Sequence, residues 1–295
     1  MANEQNDSIA RPRPGTLLLV ATPIGNLGDL SPRARDTLRD ADLLLAEDTR
    51  HTARLLNACD IVRPPGTTES WHEHNEHARL PSVLERLRAG SSVALVSDAG
   101  TPLVSDPGAV LVRAAIDAGI EVVAVPGPCA VIAALSVAGM PAERFAFEDF
   151  LPARSSARLE ALRALAREPR TLVFYEAPHR LQESLADLAQ AFGAERQAVI
   201  AREITKRFES VYRGTLAHLA QLAAQDADMS RGEIVLVVRG ATEEVARQDA
   251  DVDGVLRALL AELPVAQAAK LAARITGRAR KELYERALAL GPRNR

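Results

Sequence analysis

Residues 92–127 read SVALVSDAGTPLVSDPGAVLVRAAIDAGIEVVAVPG. Two apolar runs, 92–97 and 121–126, have the length of a strand and lack the alternation of a strand with one wet face, so each reads as buried on both sides. Between them, Asp106 as cap, Pro107 at the first helical position and Gly119 as stop mark out a helix. A buried strand, a helix and a second buried strand in so short a span make a parallel crossover. The chain is therefore expected to build an open α/β sheet.

The same alternation extends both ways. Upstream lie the runs TLLLVA (16–21) and DLLLAE (42–47), with a helix opened by Ser31 and Pro32 between them. Downstream a second series places strands at TLVFYE (171–176), QAVIAREIT (197–205) and EIVLVVRG (233–240), with helices near 156–167, 178–191 and 215–225. FESVYRG (208–214) alternates, as an antiparallel strand does. The fold class is α/β: two α/β domains with mostly parallel or mixed sheets, residues 15–127 and 128–240, and a small C-terminal helical region. Residues 1–14 read as a loose tail, the acidic stretch 241–253 as a linker, and 254–295 as a basic helical region of two or three short helices broken at Gly277.

The 295 residues are 47% apolar and 25% charged, and no run approaches the roughly 18 apolar residues of a membrane helix. A polar N-terminus without the apolar centre of a secretion signal points to the cytoplasm. Cys59 and Cys129 suggest neither a disulfide framework nor a metal site, and no metal is expected. His72, His74 and His77 in WHEHNEH (71–77) lack a second ligand cluster, so they read as a helix start with Asn75 as cap, or as a loop touching substrate. The net charge of −3 conceals two basic stretches, 154–170 with five Arg against two Glu and 270–295 with eight Lys or Arg against two Glu.

In open α/β sheets ligands bind beyond the carboxyl ends of strands. Four such tips are rich in Gly and Pro: ATPIGNLGDLS, AEDTRH, SDAGTPLVSDPG and PGPCA. These residues make stiff loops that let a ligand approach the backbone closely. Neither glycine-rich phosphate signature occurs at them, and Asp29, Asp98 and Asp106 would repel phosphate. A zwitterionic or cationic ligand suits such a cleft better.

The motifs TPIGNLGDLS, AEDTRHT, SDAGTPLVSDPG, PGPCA, FYEAPHR, AREITK and GEIVLVV, in this order from about Thr16 to Gly240, resemble the tetrapyrrole-methylase superfamily, and most closely its bacterial ribosomal RNA branch. The resemblance implies S-adenosylmethionine in a cleft between the domains, a homodimer, and 2'-O-methylation of a cytidine ribose in the decoding region of 16S rRNA, in the 30S subunit. It places Ser97, Asp98, Ala99, Gly100, Thr101 and Pro102 in the cofactor loop, with Thr101 where many relatives have Asp. Cys129 and Ala130 match the pair lying against the cofactor, and Tyr175 and Glu176 the position facing adenosine. Pro23, Gly25 and Asn26 replace a P-G-D loop of the porphyrin enzymes, which turns the expectation away from a porphyrin substrate.

Methyl transfer to a ribose hydroxyl chiefly needs alignment, helped by a base or by a cation that stabilises the developing alkoxide. Asp48 or His51 is the candidate base, and Lys206 or Arg202 the candidate cation. Two other readings compete: a methylase of a tetrapyrrole or other small substrate, which the basic stretches disfavour, and a non-catalytic RNA-binding module of ribosome assembly, which the intact cleft loops disfavour. The C-terminal segment, with Ala273 before Gly277 and Leu283 after it, resembles a helix-turn-helix suited to RNA phosphates.

Overall fold

The computed structural model describes residues 13–290. Most of the expected N-terminal tail and residues 291–295 of the basic region lie outside the described residues.

The first sheet contains β1 (Thr16–Val20), β2 (Leu43–Ala46), β3 (Thr68–Ser70), β4 (Val93–Val96) and β5 (Glu121–Val125) in the order β3-β2-β4-β1-β5, every pairing parallel. Leu43, Leu45, Val93 and Leu95 enter one core and Leu44, Ala46, Ala94 and Val96 the other. The apolar runs are continuous because both faces are covered. The connecting helices are α1 (Pro32–Asp40), α2 (Thr49–Ala58), α3 (Glu76–Arg88) and α4 (Ala109–Asp117). The Ser31 side chain caps α1 by accepting from Ala34 N–H, with Pro32 at the first turn.

The second sheet is mixed. After α5 (Ala130–Ala138) come β6 (Phe145–Phe150), α6 (Ser155–Leu165), β7 (Thr171–Glu176), α7 (Leu181–Phe192), β8 (Gln197–Arg202), β9 (Ser210–Thr215), α8 (Leu216–Gln225) and β10 (Ile234–Val238). Their order is β6-β7-β10-β8-β9, with β6 parallel to β7 and every other pairing antiparallel. Leu172, Phe174, Ile200 and Leu236 face a core covered by α6, α7 and α8, while Val173, Val199, Ala201 and Val235 face α5. Each of these Val, Leu, Ile and Phe side chains is worth roughly 1.5–3 kcal/mol of burial. Arg158 of α6 is fully buried, its Nε donating to Asp187 at 2.7 Å.

The acidic stretch expected as a linker is helical from residue 243, as the first half of α9 (Glu243–Glu262). With α10 (Val265–Thr276) and α11 (Arg280–Leu290), α9 closes a small core of Val252, Leu256, Ala269, Ala272, Leu283 and Ala287. Gly277 ends α10 in the left-handed conformation, as its position in the sequence suggests. Asp253, 5% exposed, joins this unit to the second sheet domain, accepting from Arg167 and from Arg286 at 2.6 Å each.

Candidate functional site

A cavity of about 480 Å³ lies where the loops of the first sheet meet the face of the second sheet that α5 leaves uncovered. Tyr175 of β7, Ala201 of β8 and Val235 of β10 form its floor, and residues 98–101 and 104–106 its opposite wall. That wall is fastened at three points. Gly100 exchanges backbone hydrogen bonds with Thr22 at 2.8 and 3.1 Å, and Thr101 Oγ1 donates to the carbonyl of Pro128 at 3.0 Å. Gly100 has φ +83°, and a Cβ there would stand 3.3 Å from Ile24 Cγ2, so glycine suits both the turn and the close packing.

The backbone around the cavity is strained. Leu103, Ser105, Asp149, Glu203 and Thr205 all take positive φ, a conformation that side-chain-bearing residues adopt only where surroundings hold them. Ser105 Oγ donates to Asp149 Oδ1 at 2.7 Å, tying two of them together.

The lining carries Glu47, Asp98, Asp106, Glu176 and Glu233 and no Lys, Arg or His. Burial, with the charges of Glu47, Asp98 and Asp149, pushes the Asp106 carboxyl up to about 6 against a hydrogen bond to Ser97. Glu47 is likewise held above the usual carboxylate range, first by burial and then by neighbouring acids. Burial also raises the Tyr175 hydroxyl, which stays protonated, and its ring packs at 4.9 Å from Phe147 and 5.4 Å from Phe150. Glu176 is 2% exposed; its Oε1 accepts from Ala177 N–H and from Arg180, while its buried Oε2 has no partner. These groups suit a ligand that brings positive charge and hydrogen-bond donors.

Of the residues assigned to the cofactor, Asp98, Ala99, Gly100, Thr101, Ala130, Tyr175 and Glu176 line the cavity. Ser97, Pro102 and Cys129 adjoin lining residues in sequence without lining it themselves, and Pro23, Gly25 and Asn26 lie outside the lining, where Ile24 enters instead. Asn26 caps a short turn by accepting from Gly28 N–H at 2.9 Å.

The four catalytic candidates separate. Asp48 caps α2, accepting from Arg50 N–H at 2.8 Å and pairing with the Arg50 guanidinium, which holds its carboxyl far below the usual range. A carboxylate so committed is a poor proton acceptor. Arg202 donates to the carbonyls of Arg231 and Phe208 at 2.7 and 3.1 Å and serves the backbone. His51 stays beside the cavity, Nδ1 3.5 Å from Oδ2 of the lining residue Asp98. Lys206 Nζ bonds Glu203 at 2.9 Å and Glu233 at 3.1 Å. Burial works against its charge, but these acids outweigh it and raise its pKa.

Three further expectations change. Asp106 does not cap α4, which starts after Gly108; it turns into the cavity. Asn75 stands at the N-cap of α3, but its side chain accepts from His72 N–H and donates to Ser70 rather than capping. The basic stretch 154–170 spends four of its five arginines on carboxylates: Arg158 on Asp187, Arg163 on Glu285, Arg167 on Asp253 and Arg170 on Glu168. Among the described residues, no group of three His, Cys, Asp or Glu is arranged to hold a metal ion, and no helix is long and apolar enough to cross a membrane.

Reasoning from strand tips alone misses Gly232 and Glu233, which precede β10. They reach the cavity because β10 runs antiparallel to β7, so that its start lies at the end of β7.

The family model of the Tetrapyrrole (Corrin/Porphyrin) Methylases matches residues 16–220, which hold the whole first sheet, all of the second but β10, and most of the cavity lining. The chain belongs to this methylase family. A second family model, the RsmI C-terminal HTH domain, matches residues 246–291 of the methylase. Proteins named Ribosomal RNA small subunit methyltransferase I are similar along almost the whole chain: that of Xylella fastidiosa (strain Temecula1) is 55% identical, covering 92% of this chain and 98% of its own. The Pseudomonas aeruginosa protein of that name is 53% identical over 93% of this chain and 97% of its own. Among solved structures, diphthine synthase aligns with TM-score 0.57 and 16% identity over 77% of this methylase and 90% of its own chain. The cobalt precorrin-4 methyltransferase CbiF aligns with TM-score 0.54 and 17% identity, over 76% and 94%, and both likenesses concern the fold.

Proposed function

We propose that the chain methylates the 2'-hydroxyl of a cytidine ribose in the decoding region of 16S rRNA, in the small ribosomal subunit, with S-adenosylmethionine as donor. The observation that carries the reading is the cavity lined by five acids and no base, in a chain whose relatives are named small-subunit rRNA methyltransferases. The donor supplies a methyl carbon activated by a positively charged sulfur.

The roles of the chain's residues follow from their places. Glu47, Asp98 and Asp106 give the cavity a field that favours a cation. Tyr175 and Phe150 offer aromatic faces, and Glu176 Oε2 an acceptor lacking a donor. His51, backed by Asp98, stands where a hydroxyl proton can be accepted, and Lys206 holds positive charge at the rim. Homodimerisation is part of the proposal, supported by Ile132 and Val137, which α5 exposes at 53% and 37%.

The test is incubation of the purified chain with methyl-labelled S-adenosylmethionine and either 30S particles lacking the modification or naked 16S rRNA. Label recovered in a 2'-O-methylcytidine after nuclease digestion is the expected result. Label in a base or in no RNA, with the protein folded, sinks the reading.

A further inference from the structure

The cavity that suits a cationic donor repels the phosphates of an acceptor strand, so the strand has to be held from outside while one ribose hydroxyl reaches in. The connection from β8 to β9, residues 203–209 (EITKRFE), is built for that place. Ile204 lines the cavity, and the Lys206 side chain lies against Gly25 of the other sheet domain.

The loop is held rigidly in an unfavourable shape. Glu203 and the β-branched Thr205 take φ of 52° and 67°, each costing energy that neighbouring contacts must offset. Those contacts are present: Glu203 N–H donates to the Glu233 carbonyl and Lys206 N–H to the Glu203 carbonyl, both at 2.9 Å, and Thr205 N–H to Glu209 Oε2 at 2.7 Å. Arg202 pins the Phe208 carbonyl.

What this rigid loop presents is an aromatic ring. Phe208 is 65% exposed, and among the described residues no Phe, Tyr or Trp is more so. The guanidinium carbon of Arg207 lies 5.6 Å from its ring centroid. A lone ring beside a cation is too small and too polar to be the centre of an apolar protein interface. It does match an unpaired nucleobase, which stacks on an aromatic face while its phosphate meets an arginine.

We propose that Phe208, with Arg207, is the platform on which an unpaired RNA base beside the methylated nucleotide stacks, making Phe208 a positioning residue. The inference rests on the RNA reading above. It adds how the strand is gripped.

Small ribosomal subunits lacking the modification serve as substrate for the full chain and its variants. Phe208→Ala should raise KM for the subunits about tenfold, with kcat and donor affinity within about twofold. Phe208→Tyr should retain the unaltered KM, and Phe208→Leu should behave like the alanine variant. Phe208→Trp gives a direct readout, because the natural Trp71 is fully buried and the added indole would be exposed. Its fluorescence should be quenched on titration with single-stranded oligo(C) RNA. An unchanged KM in Phe208→Ala, full function of Phe208→Leu, or conversion of Phe208→Ala from dimer to monomer would each overturn the platform while leaving the methyltransferase reading intact. Failure of the unaltered chain to methylate any RNA would remove both.

Discussion

Lys206 packs against Gly25 so closely that a Cβ on Gly25 would stand 2.3 Å from Lys206 Cγ. The contact joins the first loop of one sheet domain to the β8–β9 connection of the other, at the rim of the cavity. Gly25 also has φ +147°, where a side chain is disfavoured.

Gly25→Ala should therefore push Lys206 from its pairing with Glu203 and Glu233 and loosen the rim. We expect a loss of about 1–3 kcal/mol in stability and a donor Kd raised about tenfold. Calorimetric titration with S-adenosylmethionine, together with a thermal melt, checks both.

Donor binding should strengthen as pH rises through about 6, the value to which Asp106 is pushed. A cation binds the ionised carboxylate better, so affinity grows as Asp106 loses its proton, and binding should release protons near that pH. S-adenosylhomocysteine, whose sulfur is neutral, should show a flatter profile. The free protein has the opposite dependence: an acid raised from 3.8 to about 6 costs folding stability as pH climbs between those values, a cost complete above the upper one. Asp106→Asn should melt higher than the unaltered chain above pH 6, match it below pH 4, and lose the pH dependence of donor affinity.

His51 and Asp48 give opposite expectations despite their closeness in sequence. Asp48→Asn keeps a capping side chain and should retain kcat within about twofold, since Asn is as good a cap as Asp. His51→Ala should lower kcat about a hundredfold or more, the usual scale for a lost general base. Single-turnover methylation at saturating donor separates chemistry from binding, and a normal rate in His51→Ala would remove it from the reaction.

Asp253 accepts from both Arg167 and Arg286, so its loss removes the buried carboxylate that joins these two guanidinium groups. Arg167 is half exposed, which reduces the penalty below that of a fully buried pair, to about 2 kcal/mol. Asp253→Ala should speed hydrogen exchange across α10 and α11 and weaken binding of small ribosomal subunits, with donor affinity unchanged.

Strands β1, β2, β4, β7, β8 and β10 were legible because sheets covered on both faces leave long apolar runs in the sequence. Strand β5 carries such a run too, but it is an edge strand in which Val125 alone is buried, not the strand covered on both sides that the run suggests. Strand β3 was not legible, since the three residues TES carry no apolar signal, and β6 is interrupted by a register shift between Phe147 and Phe150. The loop of residues 98–101, which lines the cavity, announced itself as a ligand-facing strand tip through Gly and Pro. Asp106 was read as a cap because a lone Asp before Pro-Gly carries no mark of which way it turns. At 241–253 acidic, polar residues suit a helix as well as a linker, and the backbone is helical from residue 243. The arginines of 154–170 show a third limit, since a count of charges does not reveal that most point at partners within the fold.

Strand β10 has one end at the cavity, where Glu233 precedes it, and hands over at the other to the helices that begin at residue 243. Five residues of central strand, roughly 17 Å long at the usual rise, thus set the spacing between the cavity and the C-terminal helices. The joint beyond it is tight as well, for a Cβ on Gly240 would lie 2.0 Å from the Pro169 carbonyl oxygen. The strand works as a ruler: whatever those helices hold is kept one strand length from the cavity.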